Sequence, residues 1–184
     1  MLPYYDHSVG AFTDEELDRL ERYCDGLSLD KGLFNASTPG QSNSAIRSTQ
    51  TAAIQGKAEV MWFFERLASV ARTFNDRSYR FDLRGFNEAP QFLVYRAAES
   101  GHYNWHMDVG RDAPRKLSMT IQLTDPSCYE GCELQFNIGT ESISTPKGRG
   151  VAVAFPSYMI HRVTPITSGM RKAIVAWVTG PEFK

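Results

Sequence analysis

The stretch Tyr95–Asp108 reads YRAAESGHYNWHMD and ends on the spacing His106-Met107-Asp108. Residues two apart on a strand point to the same face, roughly 7 Å apart along the chain, so an imidazole and a carboxylate placed this way can converge on one ion. Around this stretch the chain from residue 77 onward breaks into short runs separated by Gly, Pro, Asn and Asp. They are Tyr79–Leu83, Gln91–Arg96, His102–Asp108, Lys116–Leu123, Glu133–Phe136, Glu141–Thr145, Val151–Phe155, Met159–Val163 and Lys172–Val178. Each has strand length, and several alternate in polarity. Upstream the texture is helical. Thr13 caps a helix over Asp14–Gly26, with Glu16 placed to complete a capping box and Phe12 and Leu17 to form a hydrophobic staple. A longer apolar stripe, with Ile54, Met61, Phe64, Leu67, Ala68 and Ala71 at helical spacing, predicts a second helix over Thr51–Phe74. Helices followed by strands argue for a mainly β fold with flanking helices. We read residues 1–184 as one domain, with helices over about 1–76 buttressing a β core over about 77–184.

Composition narrows the partners. The 184 residues are 42% hydrophobic and 22% charged, within the globular range. Twenty basic against 21 acidic residues give a net charge of −1, which leaves no global field to hold nucleic acid or a membrane surface. No apolar run is long enough to span a bilayer, and Met1–Ser8 lacks the pattern of a signal peptide. Cys24, Cys128 and Cys132 are too few for a disulfide framework and read as free thiols in a reducing, cytoplasmic setting.

The four histidines are His7, His102, His106 and His161. If the strands wind into one barrel, His161, which follows the Val151–Phe155 run and a Pro156-Ser157 turn, can join His106 and Asp108. Two imidazoles and one carboxylate on one face of a metal leave open positions, as in non-haem Fe(II) oxygenases, although zinc hydrolases use the same ligand types. His102 shares the strand parity of His106 and could line the mouth of the site or sit on a turn. His7 reads as solvated. Arg171 lies ten residues after His161. It shares a face with Ala173, Val175 and Trp177, which turns it inward. A buried arginine needs an anionic partner, and its planar fork suits a carboxylate. 2-Oxoglutarate, which chelates a metal at one end and carries a second carboxylate at the other, has the matching shape.

At these residues the sequence resembles the Fe(II)- and 2-oxoglutarate-dependent dioxygenases, most closely the prolyl 4-hydroxylase group with the bacterial PKHD-type hydroxylases. The resemblance rests on Tyr95–Asp108, Leu117–Phe136 (LSMTIQLTDPSCYEGCELQF) and Phe155–Val178 (FPSYMIHRVTPITSGMRKAIVAWV). It implies an eight-stranded double-stranded β-helix, or jelly roll. His106, Asp108 and His161 would bind Fe(II), and Arg171 would hold the distal carboxylate of 2-oxoglutarate. Tyr95, Gln122 and Leu134 would line the cosubstrate pocket, with Gln122 standing where some relatives carry a tyrosine. Tyr103 and Trp177 would lie near the substrate. Cys132 replaces the second glycine of the usual Gly-Gly-Glu-Leu stretch. The implied reaction hydroxylates an aliphatic C–H, with O2 as oxidant, release of succinate and CO2, and ascorbate as a reductant. Asp108 favours hydroxylation over halogenation, because related halogenases lack that carboxylate.

A prolyl residue in a peptide or protein is the expected substrate. A free amino acid or other small molecule is the alternative, and a non-catalytic metal- or 2-oxoglutarate-binding sensor is the reading from another class. A zinc hydrolase is disfavoured by the absence of an H-E-x-x-H motif. The loop over residues 31–50, with Arg47, reads as a connector or a lid. It and the Arg111–Arg115 loop are candidate walls for the substrate. The oligomeric state is open.

Overall fold

In the computed structural model, residues 2–32, 44–108 and 114–183 are described. The capping box forms as the sequence predicts. Glu16 N–H donates to Thr13 Oγ1 and Thr13 N–H to Glu16 Oε2, which starts α1 at Asp14 and lets it run to Asp25. The second helix, α2, spans only Met61–Phe74. The expected helix over Thr51–Phe74 is corrected at its start, where Gln50–Ala53 is a strand. Its residues 50–53 pair in register with Val94 to Gln91, and this sheet pairing overrides a local helical stripe that has no cap before Ala58.

The strands in chain order are β1 (Asp6–Ser8), β2 (Asp30–Lys31), β3 (Arg47–Ser48), β4 (Gln50–Ala53), β5 (Gln91–Arg96), β6 (His102–His106), β7 (Arg115–Gln122), β8 (Tyr129–Gly131), β9 (Leu134–Asn137), β10 (Ser142–Ser144), β11 (Ala152–Pro156), β12 (His161–Val163) and β13 (Ile166–Thr179). They form a larger sheet in the order β1-β11-β7-β13-β5-β4-β2, with β8 also on β13, and a smaller sheet in the order β10-β9-β12-β6-β3. The architecture is the expected double-stranded β-helix with flanking helices. The first 76 residues do more than buttress it, since β1, β2 and β4 extend the larger sheet and β3 the smaller.

Two further strand expectations change. Tyr79–Leu83 is not a strand. Asn75–Tyr79 is a single π-helical turn that ends at Arg80 with φ 53°. The Asn75 side chain holds the chain there, donating to Phe81 O and accepting from Phe81 N. Beyond Gln91 there are nine strands rather than eight, because Tyr129–Gly131 pairs with the early part of a final strand that starts at Ile166 rather than Lys172.

The alternation along β13 fixes which face looks where. Ile174, Ala176 and Val178 join Leu17, Leu20, Phe63 and Leu67 in one buried cluster, the contact between the larger sheet and the helices. Apart from Ala176, each such side chain contributes about 1.5–3 kcal/mol on burial. Lys172, on the same face, is drawn to Glu21 and Asp25 of α1 at 3.0 and 2.7 Å. Arg171, Ala173 and Trp177 are therefore on the inner face, and all three are buried. On β7 the same parity sends Leu117, Met119 and Ile121 to the helices and turns Ser118, Thr120 and Gln122, also buried, the other way.

Candidate active site

His106 and His161 are directly opposed on β6 and β12. Opposed residues share a face, with Cβ atoms about 5 Å apart, and the two imidazole centroids are 4.2 Å apart. Asp108 lies just past the end of β6, where its backbone N–H donates to Ser157 O at 3.0 Å. Its Oδ1 is 3.7 Å from His106 Nε2 and its Oδ2 is 3.6 Å from His161 Nε2. The three donor atoms lie within 4.8 Å of one another. Cis ligands of an octahedral ion are about 3 Å apart, so small side-chain rotations close the set around a metal.

The surroundings fix the state of each ligand. His106 Nδ1 lies 2.7 Å from Asn104 O, and His161 Nδ1 lies 2.8 Å from Met159 O. A carbonyl can only accept, so both rings carry a proton on Nδ1 and present Nε2 toward Asp108. Burial, then the neighbouring His161, pushes the His106 pKa down to about 4, and the ring is neutral at physiological pH. Burial alone would raise the Asp108 pKa. The His161 and His106 imidazoles, the Ser118 hydroxyl and the Trp177 indole outweigh it and hold the carboxyl below its ordinary value. Ser118 Oγ donates to Asp108 Oδ2 at 2.7 Å and lies 2.9 Å from Ser157 Oγ. A neutral His106 and an ionised Asp108 beside the Nε2 of His161 make a donor set suited to a divalent cation.

The sequence parity argument fails at one point, on β6. The pairing His161↔His106 is followed by Val163↔Tyr103, three residues on β6 against two on β12. This β-bulge flips the faces upstream of it. Tyr103 is thereby brought inward, with its ring stacked on His106 at a centroid distance of 3.5 Å. The possible place of His102 at the site mouth is corrected for the same reason. Its ring turns to backbone carbonyls, Ser100 O at 2.8 Å and Ala45 O at 3.4 Å. His7 is exposed on the edge strand β1.

At the other end of the interior, Arg171 is 2% exposed. Its Nε and Nη2 both donate to Gln122 Oε1, at 3.0 and 2.9 Å. Nη1 contacts Cys132 Sγ at 3.8 Å, and the guanidinium lies 5.4 Å from the Tyr95 ring centroid. Arg171 and Tyr95 are cross-strand partners. Among the described residues no carboxylate pairs with this cation, although Lys172, Arg149, Arg115 and Arg77 each have one. Cys132 reaches the guanidinium from an unusual backbone conformation, φ 51°, next to Gly131 at φ 70°. A left-handed residue other than glycine costs about 1–2 kcal/mol and points to a local role. Leu134 is buried beside Phe136, Val153 and Phe155. Trp177 opposes Ser118 across the β7–β13 pair, carries the Arg115 guanidinium 3.8 Å from its ring centroid, and turns its buried indole toward Asp108.

The structure brings Tyr103 to the His106, Asp108 and His161 group, and Tyr95 and Gln122 to Arg171, while Leu134 packs in a separate apolar cluster and His102 and His7 lie apart. The sequence reading missed Ser118, Ser157 and Tyr129, small or aromatic strand residues whose roles depend on cross-strand neighbours. Of the two candidate substrate walls, residues 33–43 and 109–113 lie outside the described residues. Arg47 is described, with its guanidinium 4.7 Å from the Tyr103 ring centroid.

Comparison with known proteins agrees with this geometry. Residues 90–179 match the sequence model of the 2OG-Fe(II) oxygenase superfamily. A PKHD-type hydroxylase of Synechococcus sp. (strain CC9902) is 38% identical over 90 residues, which cover 47% of this chain and 40% of that one. A PKHD-type hydroxylase of Colwellia psychrerythraea is 35% identical over 92 residues, 47% of this chain and 41% of that one. The chain thus spans about two fifths of the length of these relatives. Among solved structures, a Trichoplax adhaerens prolyl hydroxylase in complex with a hypoxia inducible factor peptide superposes with a TM-score of 0.78 at 17% identity, covering 96% of this chain and 84% of that one. A Pseudomonas putida prolyl-4-hydroxylase gives 0.75 at 19% identity, covering 97% and 94%. These structural likenesses carry the fold.

Proposed function

We propose, from the match of residues 90–179 to the 2OG-Fe(II) oxygenase superfamily, that the chain is an Fe(II)- and 2-oxoglutarate-dependent hydroxylase acting on a prolyl residue of a peptide or protein. One observation carries the reading: a His-Asp-His cluster and a buried arginine with no acidic partner among the described residues share one interior. Ser118, which holds Asp108, and Gln122, which holds Arg171, are four residues apart on the same face of β7. At strand rise that is roughly 13 Å, a gap that the two side-chain sets and a small dicarboxylate between them can fill.

The residues present fit the groups this chemistry needs. His106 and His161 offer Nε2 lone pairs, Asp108 offers the compensating charge, and Ser118 keeps its carboxylate from rotating. Arg171 fixes the far carboxylate of 2-oxoglutarate, so that the 2-oxo acid end faces the metal. Fe(II), 2-oxoglutarate and O2 together supply the oxidising power, with 2-oxoglutarate ending as succinate and CO2 and the substrate C–H as C–OH. Tyr103 and Trp177 wall the space next to the ligands, one stacked on His106 and one opposite Ser118. Their aromatic faces exclude water and suit an apolar ring such as that of proline. Exposed apolar side chains flank the ligands in sequence, Trp105 and Met107 beside His106 and Ile160 beside His161, and offer contacts to a longer chain.

The test is mass spectrometry of proline-containing peptides and of free amino acids incubated with the protein, Fe(II) and 2-oxoglutarate under air. The reading expects one added oxygen on a peptide, with equimolar succinate. Oxygen added only to a free amino acid would reassign the substrate, and neither succinate formation nor 2-oxoglutarate binding would refute the enzyme reading.

A further inference from the structure

Tyr129 is 4% exposed, and its buried hydroxyl, which faces the Arg171 guanidinium, finds no acceptor among the described residues. A buried phenol usually finds one, and leaving it unpaired costs about 1–3 kcal/mol. Its position is set by β8. Tyr129 opposes Gly169 on β13, so Arg171, two residues further along β13, is its diagonal neighbour on the same face and within reach of a long side chain. Gly169, at φ 74°, permits the close approach, since a Cβ there would collide with the Cys128 carbonyl. The ring is held in place. Lys147 Nζ lies 4.5 Å from its centroid and donates to Gly131 O at 3.0 Å, while Tyr95, Cys132 and Ile166 share its apolar cluster. The charge of Arg171 is felt at the hydroxyl: burial raises the Tyr129 pKa, and the guanidinium pulls it back in part.

Gln122 fills the Nε/Nη2 edge of the guanidinium with a neutral oxygen. The Nη1/Nη2 edge is the bidentate face on which, among the described residues, no carboxylate sits. Resting on the cosubstrate reading above, we propose that Tyr129 is a second anchor for the distal carboxylate of 2-oxoglutarate, its hydroxyl donating to a carboxylate held end-on by Arg171. One ligand then meets both the hydroxyl that lacks an acceptor and the cation that lacks a carboxylate among the described residues, and only a 2-oxo acid with a second carboxylate can do so. Tyr129 is a specificity residue for the dicarboxylate and does not touch the reacting atoms.

The test is calorimetric binding of 2-oxoglutarate and of 2-oxovalerate, which lacks the distal carboxylate, to the full chain loaded anaerobically with Fe(II). Tyr129→Phe should weaken 2-oxoglutarate by about 10- to 100-fold, the loss of one charge-assisted hydrogen bond, and leave 2-oxovalerate unchanged. In turnover, KM for 2-oxoglutarate should rise by a similar factor with kcat preserved. The melting temperature of the ligand-free variant should change little, because the hydroxyl removed donates to no acceptor among the described residues. Unchanged 2-oxoglutarate affinity, or equal weakening of both acids, overturns the role of Tyr129 alone. A wild-type protein that binds neither acid overturns the cosubstrate reading and this inference with it.

Discussion

Replacing Arg171 with Met and Gln122 with Leu together should move stability and cosubstrate affinity in opposite directions. Arg171 is 2% exposed, and its partners in the ligand-free protein are neutral: one amide oxygen that accepts two hydrogen bonds, a thiol and an aromatic ring. An ion taken out of water loses several kcal/mol even after relaxation. Two hydrogen bonds to one neutral oxygen return about 1 kcal/mol each, and the ring returns up to about 2 kcal/mol. The balance leaves the empty site unfavourable by on the order of 1–3 kcal/mol. Arg171→Met alone would hide this gain, because it strips Gln122 Oε1 of both donors at a cost of about 1–3 kcal/mol. With Gln122→Leu in the same chain that acceptor is gone. Urea unfolding of the metal-loaded protein without cosubstrate should then give a double variant at least as stable as wild type. In wild type, 2-oxoglutarate at a hundred times its Kd should add about 2.7 kcal/mol, and in the double variant it should add nothing. A double variant that unfolds several kcal/mol more easily, or one that keeps the full cosubstrate shift, would refute the reasoning. The arginine would then be a structural group whose anion has been misassigned.

Other expectations follow from the ligand end of the site. His106→Ala and Asp108→Ala should each abolish succinate formation while the far-ultraviolet circular dichroism stays that of wild type, since each removes one of three donor atoms and neither belongs to the three buried apolar clusters. Ser118→Ala removes the 2.7 Å hydrogen bond to Asp108 Oδ2 and should weaken Mn(II) or Fe(II) binding by about 10- to 100-fold, measured by metal titration. The metal-free protein should lose stability as pH falls. The folded His106 pKa of about 4 lies below its ordinary value of 6.5, so between those values the unfolded chain binds the extra proton. The contribution is complete above about pH 6.5 and gone below about pH 4, and amounts to at most about 3 kcal/mol. Asp108, also lowered, acts in the same direction. Urea titrations at pH 7 and pH 5 check the sign, and greater stability at pH 5 would contradict it.

The parts of the site that the sequence displays are those whose geometry is local. His106-Met107-Asp108 needs only two residues of chain to place both groups, and the Thr13–Glu16 capping box needs three. The inward turn of Arg171 was also legible, because Ala173 and Trp177 share its face while Lys172 finds the acids of α1. The third donor, His161, lies 55 residues downstream of His106 and joins His106 and Asp108 only if the strands wind into one barrel, a closure that the family resemblance implied. What the sequence hides depends on pairing. Nothing in Gln50–Ala53 announces that β5 will capture it, and period alone extends α2 too early. Nothing in His102–His106 announces the bulge, which exchanges the faces of His102 and Tyr103 by placing three residues against two.

The bulge and Tyr129 have a common cause. A period-2 reading assumes that register is continuous, yet the polar groups that finish this site lie where register breaks. Tyr103 reaches His106 only across the β6 irregularity. Tyr129 reaches Arg171 only because β8 pairs with the early part of β13, where the register also shifts, between Ile166 and Ser168. The left-handed pair Gly131-Cys132 turns the chain from β8 toward β9 and sets the thiol against the same guanidinium. Continuous ladders provide the walls of the barrel, and their alternation can be read from the sequence. Breaks in the ladder aim side chains at points that alternation cannot reach. In this fold they lie at both ends of the cavity, one at the metal ligands and one at the arginine. Deleting Asn104 removes the extra residue of the β6 bulge, so it should leave Tyr103 inward, two residues before His106 on a continuous ladder, and keep His102 outward. The variant should keep metal affinity and the helix-facing core, whose register lies wholly in the other sheet, and a loss of metal binding would show that the break in the ladder, beyond the face it gives Tyr103, positions the ligands.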